Sequence, residues 1–543
     1  MPSTPRVPDR GERPAGRTFK WRADVRAAGR RRAGVPAAEV RLWIDDALVV
    51  AAALLPLVLF AARERLIAGA AGLPLDDSWI HLQFARNLAE GAGFSFNPGH
   101  PVAGSTAPLW TLLLGAGALV FSASLWTAKA LGIVVTLGAG LLTRRAVLAW
   151  GAPADAALVA AAGLMWMGPV VWGSLSGMEV SLAALLVAAA LLAHARDHAL
   201  ATAVCAALAV LARPESLLLV PLFVVARPVT LRRVATFTLA TAVIVVPAML
   251  FSLSTAGTLY PATAAAKIEG GLVGWLGGVT EPASLTFVTR PRMFFAEWIR
   301  WLTCTHWLLA LAVAAALVQV WRVAGRPLGV IALGLLLHPL GMALLAPYRG
   351  PAFQEGRYSI HLLPLAVLAV AVAFGGRRDA SPTSGRPARV AVMAAWLGIA
   401  AITLWPAATR YAWAVQNINA MQVHLGRWVD GNVPKTARVA VNDIGAIAFF
   451  SRRFILDTEG LVTPDAIWDK RMWRIDRFFA RAQPDVVVIF PSWYPYLAKR
   501  STGLTEVASL SAKKVIAGGE TLVVYRTPWT RPGRLLAGTY SNK

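Results

Sequence analysis

Two adjacent acids, Asp76 and Asp77, stand at the head of a stretch whose side chains could do chemistry. Behind them Ile80, Phe84 and Leu88 recur at four-residue spacing, Gln83, Arg86 and Glu90 fall on the opposite side, and Gly91 ends the pattern. This is an amphipathic helix carrying its carboxylates at the start, lying along a membrane surface. Helical geometry places Asp77 and His81 beside the apolar stripe. Either acid alone also serves as an N-cap. Two together at an interface repel each other and lose hydration, which raises the proton affinity of one of them, as a general base near neutral pH requires. His81, one turn on, stands either to tune Asp77 or simply to pack. A second acid pair, Asp45 and Asp46 beside Arg41, has no such helix behind it. These two read as helix-start acids favoured by the helix dipole.

The elements that position these residues follow from composition. Of 543 residues 57% are hydrophobic and 15% charged, against about 25% charged in soluble domains. The apolar residues come in runs of roughly 17 to 25, the length of membrane-spanning helices, so the chain reads as a polytopic membrane protein. After a first span near Ala47 to Ala62, which runs straight into Arg63, Glu64 and Arg65 and so reads as an uncleaved anchor, runs lie near 106–122, 125–142, 155–173, 178–194, 199–226, 234–253, 299–321, 328–346, 359–375 and 390–406. The run 199–226 is broken by Arg213, Pro214 and Glu215, a break that must be buried in protein or face water. We expect ten to twelve spans.

Net charge is +24, and its placement assigns the sides, since Lys and Arg gather on cytoplasmic turns. Eleven Lys and Arg in the first 42 residues mark a disordered cytoplasmic arm. Arg144 and Arg145, then Arg227, Arg232 and Arg233, then Arg322 and Arg326, then Arg377, Arg378, Arg386 and Arg389 mark cytoplasmic turns. The intervening stretches 62–107, 173–178, 254–298, 347–358 and everything after 407 are then outer. Two apolar runs fit between residue 107 and Arg144 where one crossing is needed, so one of them is re-entrant or juxtamembrane. The basic charge therefore points to a membrane rather than to nucleic acid. Cys205 and Cys304 sit in apolar runs and indicate neither a disulfide framework nor a metal site.

Beyond Pro406 the composition shifts, and 437–441, 454–457, 485–490 and 521–525 read as short strands alternating with helical or turn-rich stretches. The expected organisation is a basic cytoplasmic arm (1–42), a transmembrane domain with an outer-loop site (43–406) and a small extracytoplasmic α/β domain (407–543). Glu179, Lys267 with Glu269, and Arg357 with Tyr358 all fall on the outer side. Singly, each reads as a helix-start acid, an exposed pair or a snorkelling arginine. Ionisable groups gathered at such depth mark function.

The order of motifs carries a resemblance. Asp76 and Asp77 head a helix ending Ala85-Arg86-Asn87-Leu88, followed by Asn97-Pro98-Gly99 and by Thr106-Ala107-Pro108-Leu109-Trp110. Gly177-Met178-Glu179, Leu259-Tyr260-Pro261 with Lys267, Arg357-Tyr358 and Asp443-Ile444-Gly445-Ala446-Ile447 follow in sequence. The set resembles GT-C membrane glycosyltransferases that take sugars from polyprenyl phosphates, and within them the terminal arabinofuranosyltransferases. Ala262 stands where that family has Asn and Ser105 where an aromatic is common, so the sugar is left unassigned.

The resemblance implies a GT-C-like helical bundle in the bacterial cytoplasmic membrane, transferring a sugar from a polyprenyl-phosphate donor to a glycan or lipid acceptor. Nucleotide sugars are cytoplasmic, so an outward-facing transferase needs a donor already across the membrane. In that reading one of Asp76 and Asp77 deprotonates the acceptor, with inversion at the anomeric carbon. Arg357, Tyr358 and Lys267 hold the donor phosphate. The other carboxylate and Glu179 orient the acceptor or hold a divalent cation, although three acids without fixed spacing specify no metal. Trp428, Trp468, Trp473, Trp493 and Tyr494 offer either sugar-stacking platforms or core and interface-belt packing. Two other classes remain open from the residues alone: a secondary transporter or lipid flippase, which predicts paired broken helices, and a non-catalytic scaffold with an outer binding domain.

Overall fold

A computed structural model describes residues 37–542 apart from 269, 324, 376–385, 498–501, 513 and 531–539. The basic arm up to residue 36, Glu269, Arg377 and Arg378 lie outside the described residues.

Most of the chain is helical, as the apolar runs require. Among the described residues six helices are long and apolar enough to cross a membrane: Leu42–Ala68, Leu125–Ala149, Leu231–Ala256, Gly325–Leu345, Phe353–Phe374 and Val390–Asn432. Two further pairs, Ala154–Met165 with Gly168–Leu175 and Leu285–Thr305 with Leu309–Arg322, are bent by 59° and 109°. Counting each bent pair as one span gives up to eight. The expected ten to twelve is reached only if the shorter apolar helices Pro108–Phe121, Val180–Ala195, Ala199–Ala212 and Pro214–Val225 are counted too. Pro108–Phe121 accounts for the surplus run ahead of Arg144. Its 14 residues make a helix about 21 Å long, short of the ~30 Å hydrocarbon layer. The break at Arg213 is buried in protein: Arg213 takes an extended conformation between Ala199–Ala212 and the short turn Pro214–Leu218, and only 2% of it is exposed.

The composition shift after Pro406 is not a break in the chain, since the helix Arg386–Ile418 runs through it. A small sheet follows. In chain order the strands are β1 (Ser95–Asn97), β2 (His100–Pro101), β3 (Arg438–Val441), β4 (Phe454–Asp457), β5 (Val486–Ile489), β6 (Thr505–Ser511), β7 (Thr521–Arg526) and β8 (Tyr540–Asn542). β1 and β2 form a separate hairpin; the other six run in the order β4-β3-β5-β7-β6-β8. β3 pairs parallel with both β4 and β5, and β7 closes antiparallel on β5 and β6. β5, Val-Val-Val-Ile, is buried throughout, as a run with no polar alternation must be. The four strands expected from the sequence are β3, β4, β5 and β7; the less apolar β6 and β8 and the hairpin are additional.

The acid-bearing helix, Asp76–Ala89, belongs to this sheet's core. Ile80 and Phe84 pack in one cluster with Val439, Val441, Ile447, Val486 and Val488. Alternate residues Ala440, Val487 and Ile489 face the other side of the sheet, against Phe478 and Phe479. The helix therefore does not lie on a surface with one wet face. Gln83, Arg86 and Asn87 are buried as well and spend their donors on backbone carbonyls: Gln83 Nε2 on Phe96 at 2.9 Å, Arg86 Nη1 on Phe449 at 2.7 Å, Asn87 Nδ2 on Ser95 and Phe96 at 2.8 Å. Buried donors with partners cost little, which is why a helix that looks amphipathic can be enclosed. Only its end, at Glu90, is exposed.

Candidate active site at the acid-bearing helix

Successive helical residues point about 100° apart, and that rotation separates the two acids. Asp76 is buried, with 5% of its surface exposed. Its Oδ2 accepts the backbone N–H of Gly445 at 2.5 Å and its Oδ1 that of Ala446 at 2.8 Å. These N–H groups open the helix Ile444–Ser451 and have no partner within it. Asp76 thus caps, from 369 residues away, the first helix after β3. The approach is so close that a Cβ on Gly445 would lie 2.1 Å from the Asp76 carbonyl oxygen. Burial, and to a lesser extent the neighbouring charge of Asp77, push the Asp76 carboxyl up to about 7 against these hydrogen bonds. Asp443, whose Oδ2 accepts from Gln422 Nε2 at 2.5 Å, is raised too, by burial and then by Asp76.

Asp77 faces the other way. Its Oδ2 lies 2.8 Å from Arg357 Nη1 and 3.4 Å from Lys267 Nζ. Among the described residues its Oδ1 makes no hydrogen bond, and the side chain is 25% exposed. Burial alone would raise its proton affinity, but Lys267 and then Arg357 outweigh that and hold the carboxyl well below the usual carboxylate range. Lys267 is raised in turn: burial of the ammonium lowers it, but Asp77, Tyr358 and Tyr348 together outweigh that cost.

Two remote segments build this cation cradle. Lys267 ends the short helix Ala262–Lys267, which is tied down by Ala262 N donating to Ala103 O at 2.9 Å, by Thr263 Oγ1 donating to Gly104 O, and by Arg471 Nη2 donating to Ala265 O at 2.7 Å. Arg357 follows a loop anchored by Ala352 N on Glu297 Oε1 at 3.0 Å and by Arg410 Nε on Glu355 Oε1 at 2.9 Å. Gly356 in that loop has φ +78° and no room for a Cβ, which would lie 2.1 Å from the Trp301 ring. Only glycine fits both conditions. Arg357 is 3% exposed, and its Nε and Nη1 have no acceptor in line for a hydrogen bond among the described residues. Tyr358 sits with its ring 5.2 Å from the Arg357 guanidinium and 4.6 Å from that of Arg213, and Tyr348 lies 5.7 Å from Lys267 Nζ. Such ring faces attract cations.

Glu179 is buried behind this layer. Its Oε1 accepts from Arg213 Nη1, and its Oε2 lies 3.3 Å from His81 Nε2. Arg213 also grips Glu215 through Nε at 3.1 Å and Nη2 at 3.0 Å. His81 Nδ1 is 3.1 Å from Thr111 Oγ1, which in turn lies 3.0 Å from Ser105 Oγ. His81 therefore belongs to a polar network on the Glu179 side. The structure brings Asp77, Lys267, Arg357 and Tyr358 together, places Glu179 and His81 next to them, and turns Asp76 toward Gly445 and Ala446. Among the described residues no group of three or more His, Cys, Asp or Glu is arranged to hold a metal ion.

Sequence reasoning did not place Arg213 or Tyr348 in the site. The signal for Arg213 was the Arg-Pro-Glu interruption of an apolar run; Tyr348 carried none. Of the aromatics considered as stacking platforms, Trp468 and Trp473 are 67% and 62% exposed, and Trp493 is 41% exposed. Tyr494 is buried and bonded to Thr458 and Glu459, and Trp428 packs against the sheet core.

A family profile described as a domain of unknown function, DUF8728, matches residues 414–529. No curated protein matches the sequence. Among solved structures the chain is similar to ArnT from Cupriavidus metallidurans bound to undecaprenyl phosphate, with a TM-score of 0.55 at 13% identity over 91% of this chain and 99% of that one. It is also similar to the Archaeoglobus fulgidus oligosaccharyltransferase tethered with an acceptor peptide, with a TM-score of 0.50 at 12% identity over 84% of this chain and 72% of that one. The arabinofuranosyltransferase AftD from Mycobacteria aligns with a TM-score of 0.43 at 16% identity over 88% of this chain and 40% of that one. The polytopic helical bundle with its small C-terminal sheet region is the fold of the GT-C membrane glycosyltransferases.

Proposed function

We propose that this protein transfers a sugar from a polyprenyl-phosphate donor to a hydroxyl of a glycan or lipid acceptor at the outer face of the cytoplasmic membrane, with inversion at the anomeric carbon. The observation that carries the reading is the meeting of Asp77 with Arg357 and Lys267, at 2.8 and 3.4 Å, from three distant segments. An acid beside two cations is the minimum set for glycosyl transfer to a phosphate leaving group: a base for the acceptor and counter-charge for the phosphate.

In this reading Asp77, whose Oδ1 is open, takes the proton from the acceptor hydroxyl as that oxygen attacks the anomeric carbon. The bond to phosphate breaks on the opposite face, and the leaving phosphate keeps the electron pair. Arg357 and Lys267 hold the charge that develops there, worth several kcal/mol in a water-poor site. Tyr358 orients Arg357. Glu179, paired with Arg213 and His81, fixes the wall behind the cations, and Asp76 holds the C-terminal region against the acid-bearing helix. Asp76 is less suited to be the base because both of its oxygens already accept backbone N–H groups. The outer location follows from the Arg-rich turns at 144–145, 227–233 and 322–326, which alternate with the loops that carry these residues. The likeness to a protein bound to undecaprenyl phosphate supports the class of donor.

The test is transfer by membranes containing the protein, supplied with radiolabelled undecaprenyl-phosphate sugars and envelope acceptors. Label should move to an acceptor with the wild-type protein and not with Asp77→Asn. No transfer from any such donor by the wild-type protein would refute the reading.

A further inference from the structure

The cations assigned to the donor phosphate already have an anionic partner within the protein, and that partner is the base itself. Asp77 Oδ2 alone spans both Arg357 and Lys267. Its carboxyl is 25% exposed and so within reach of an incoming molecule. Arg357 is 3% exposed and its Nε and Nη1 lack in-line acceptors among the described residues, so its fork is only partly used by Asp77. A carboxylate presenting one oxygen to two cations fills such a cradle poorly. The phosphodiester of a lipid-phosphate sugar brings two free oxygens that pair with arginine in bidentate fashion, and the monoester left after transfer brings three and up to about two negative charges.

We propose that Asp77 is the resident anion of this cradle, that the phosphodiester of the entering lipid-phosphate sugar takes Arg357 and Lys267 from it, releasing Asp77 to act as base, and that the lipid phosphomonoester left after transfer occupies the same cradle. The proposal rests on the donor reading above and adds its order of events: the base is weak while it is paired with the two cations and gains strength only when the phosphate has drawn off its counter-charges. The groups facing Asp77 support that sign. Lys267 and Arg357 lower its proton affinity, as does His81 on its own helix, against burial. Asp76 and Asp443, whose proton affinities are raised by burial first and by neighbouring acids second, remain beside it from the helix and from the start of Ile444–Ser451. Glu179 lies near enough for its charge to act on Arg357. Once the cations are engaged by phosphate, burial and acids are what Asp77 has left, and both favour taking up a proton.

Competition between a resident carboxylate and a ligand has a distinctive consequence. Removing the carboxylate destroys transfer yet tightens ligand binding, whereas a carboxylate that only supports the structure would weaken binding when lost. The experiment measures binding of farnesyl phosphate, and separately of inorganic phosphate, to the purified full-length protein, to Asp77→Asn and to Asp77→Ala. The readout is calorimetry together with the ligand-induced rise in melting temperature, which also reports that each variant is folded. Both variants should bind farnesyl phosphate roughly tenfold tighter than wild type, the factor expected when an occupied cradle becomes open. Equal tightening with inorganic phosphate assigns the exchange to the headgroup alone; tightening confined to farnesyl phosphate assigns it to a lipid-borne headgroup.

Unchanged or weaker binding by the variants, with wild type binding farnesyl phosphate, overturns the exchange while leaving the donor reading intact. No binding of farnesyl phosphate by any of the three removes both. Should the variants fail to fold, a structure of the wild-type protein with farnesyl phosphate decides the matter. Arg357 should then contact phosphate with Asp77 beyond the ion-pair limit of about 4 Å, and persistence of the Asp77–Arg357 contact would overturn the proposal.

Discussion

Asp76 and Asp77 are neighbours in the chain but belong to different regions of the molecule. Asp76 looks into the C-terminal region, where its oxygens meet the backbone N–H groups of Gly445 and Ala446 and burial pushes its carboxyl up to about 7. Asp77 looks toward the membrane-spanning part, where Arg357 and Lys267 hold its carboxyl low. One step along a helix therefore exchanges backbone dipoles for full cations. The difference shows how a single acidic pair can fasten one region of a protein to another and, with its second member, complete a site.

That contrast can be broken from either side. The largest loss is expected from removing both cations: Lys267→Ala with Arg357→Ala should lower transfer by more than about 10⁴-fold, since each removes a charge from the developing phosphate that is worth about 10²- to 10³-fold singly. Transfer kinetics on donor titration check this. Arg213→Ala strips Glu179 of its buried partner and should cost about 3–5 kcal/mol of stability, the usual penalty for an orphaned buried charge; denaturation of the purified protein measures it. On the Asp76 side, Gly445→Ala forces a methyl against the Asp76 backbone and should cost about 1–3 kcal/mol by overpacking, read as a lower melting temperature.

The smallest effect is one of pH. Asp76 has a folded value raised above that of the unfolded chain. The stability it contributes is therefore fully present below about pH 4 and is lost as pH rises through about 7. Melting temperature measured across that window should fall with pH for the wild-type protein and fall less steeply for Asp76→Asn. A slope as steep in the variant as in the wild type would assign the pH dependence to the other buried acids with raised values, Asp443 and Asp457.

Much of this was legible in the sequence because bilayers and parallel sheets impose simple patterns. Apolar runs marked the bundle, Val-rich runs marked β3, β5 and β7, and the ordered acids and cations marked the residues that meet at Asp77. What the sequence did not disclose is burial against distant partners. Gln83, Arg86 and Asn87 look like a wet face because their acceptors are carbonyls of segments that fold back only in three dimensions. The opposite orientations of Asp76 and Asp77 depend on what each side of the helix meets, which no local spacing records. Arg213 announced itself only as a flaw in a hydrophobic run, although it supplies the counter-charge that lets Glu179 be buried. The run 178–194 reads as a span, but the helix it forms, Val180–Ala195, has 16 residues and is about 24 Å long, short of the ~30 Å hydrocarbon layer.

The most direct measurement compares the transfer rate of Asp77→Asn with that of Asp76→Asn, both shown to be folded, at saturating donor. Loss of the base should slow Asp77→Asn by about 10²- to 10⁴-fold, while Asp76→Asn, keeping one acceptor oxygen for the Ile444–Ser451 helix, should retain most of its rate. The reverse order, with Asp76→Asn inactive and Asp77→Asn active, would contradict the assignment of the two acids.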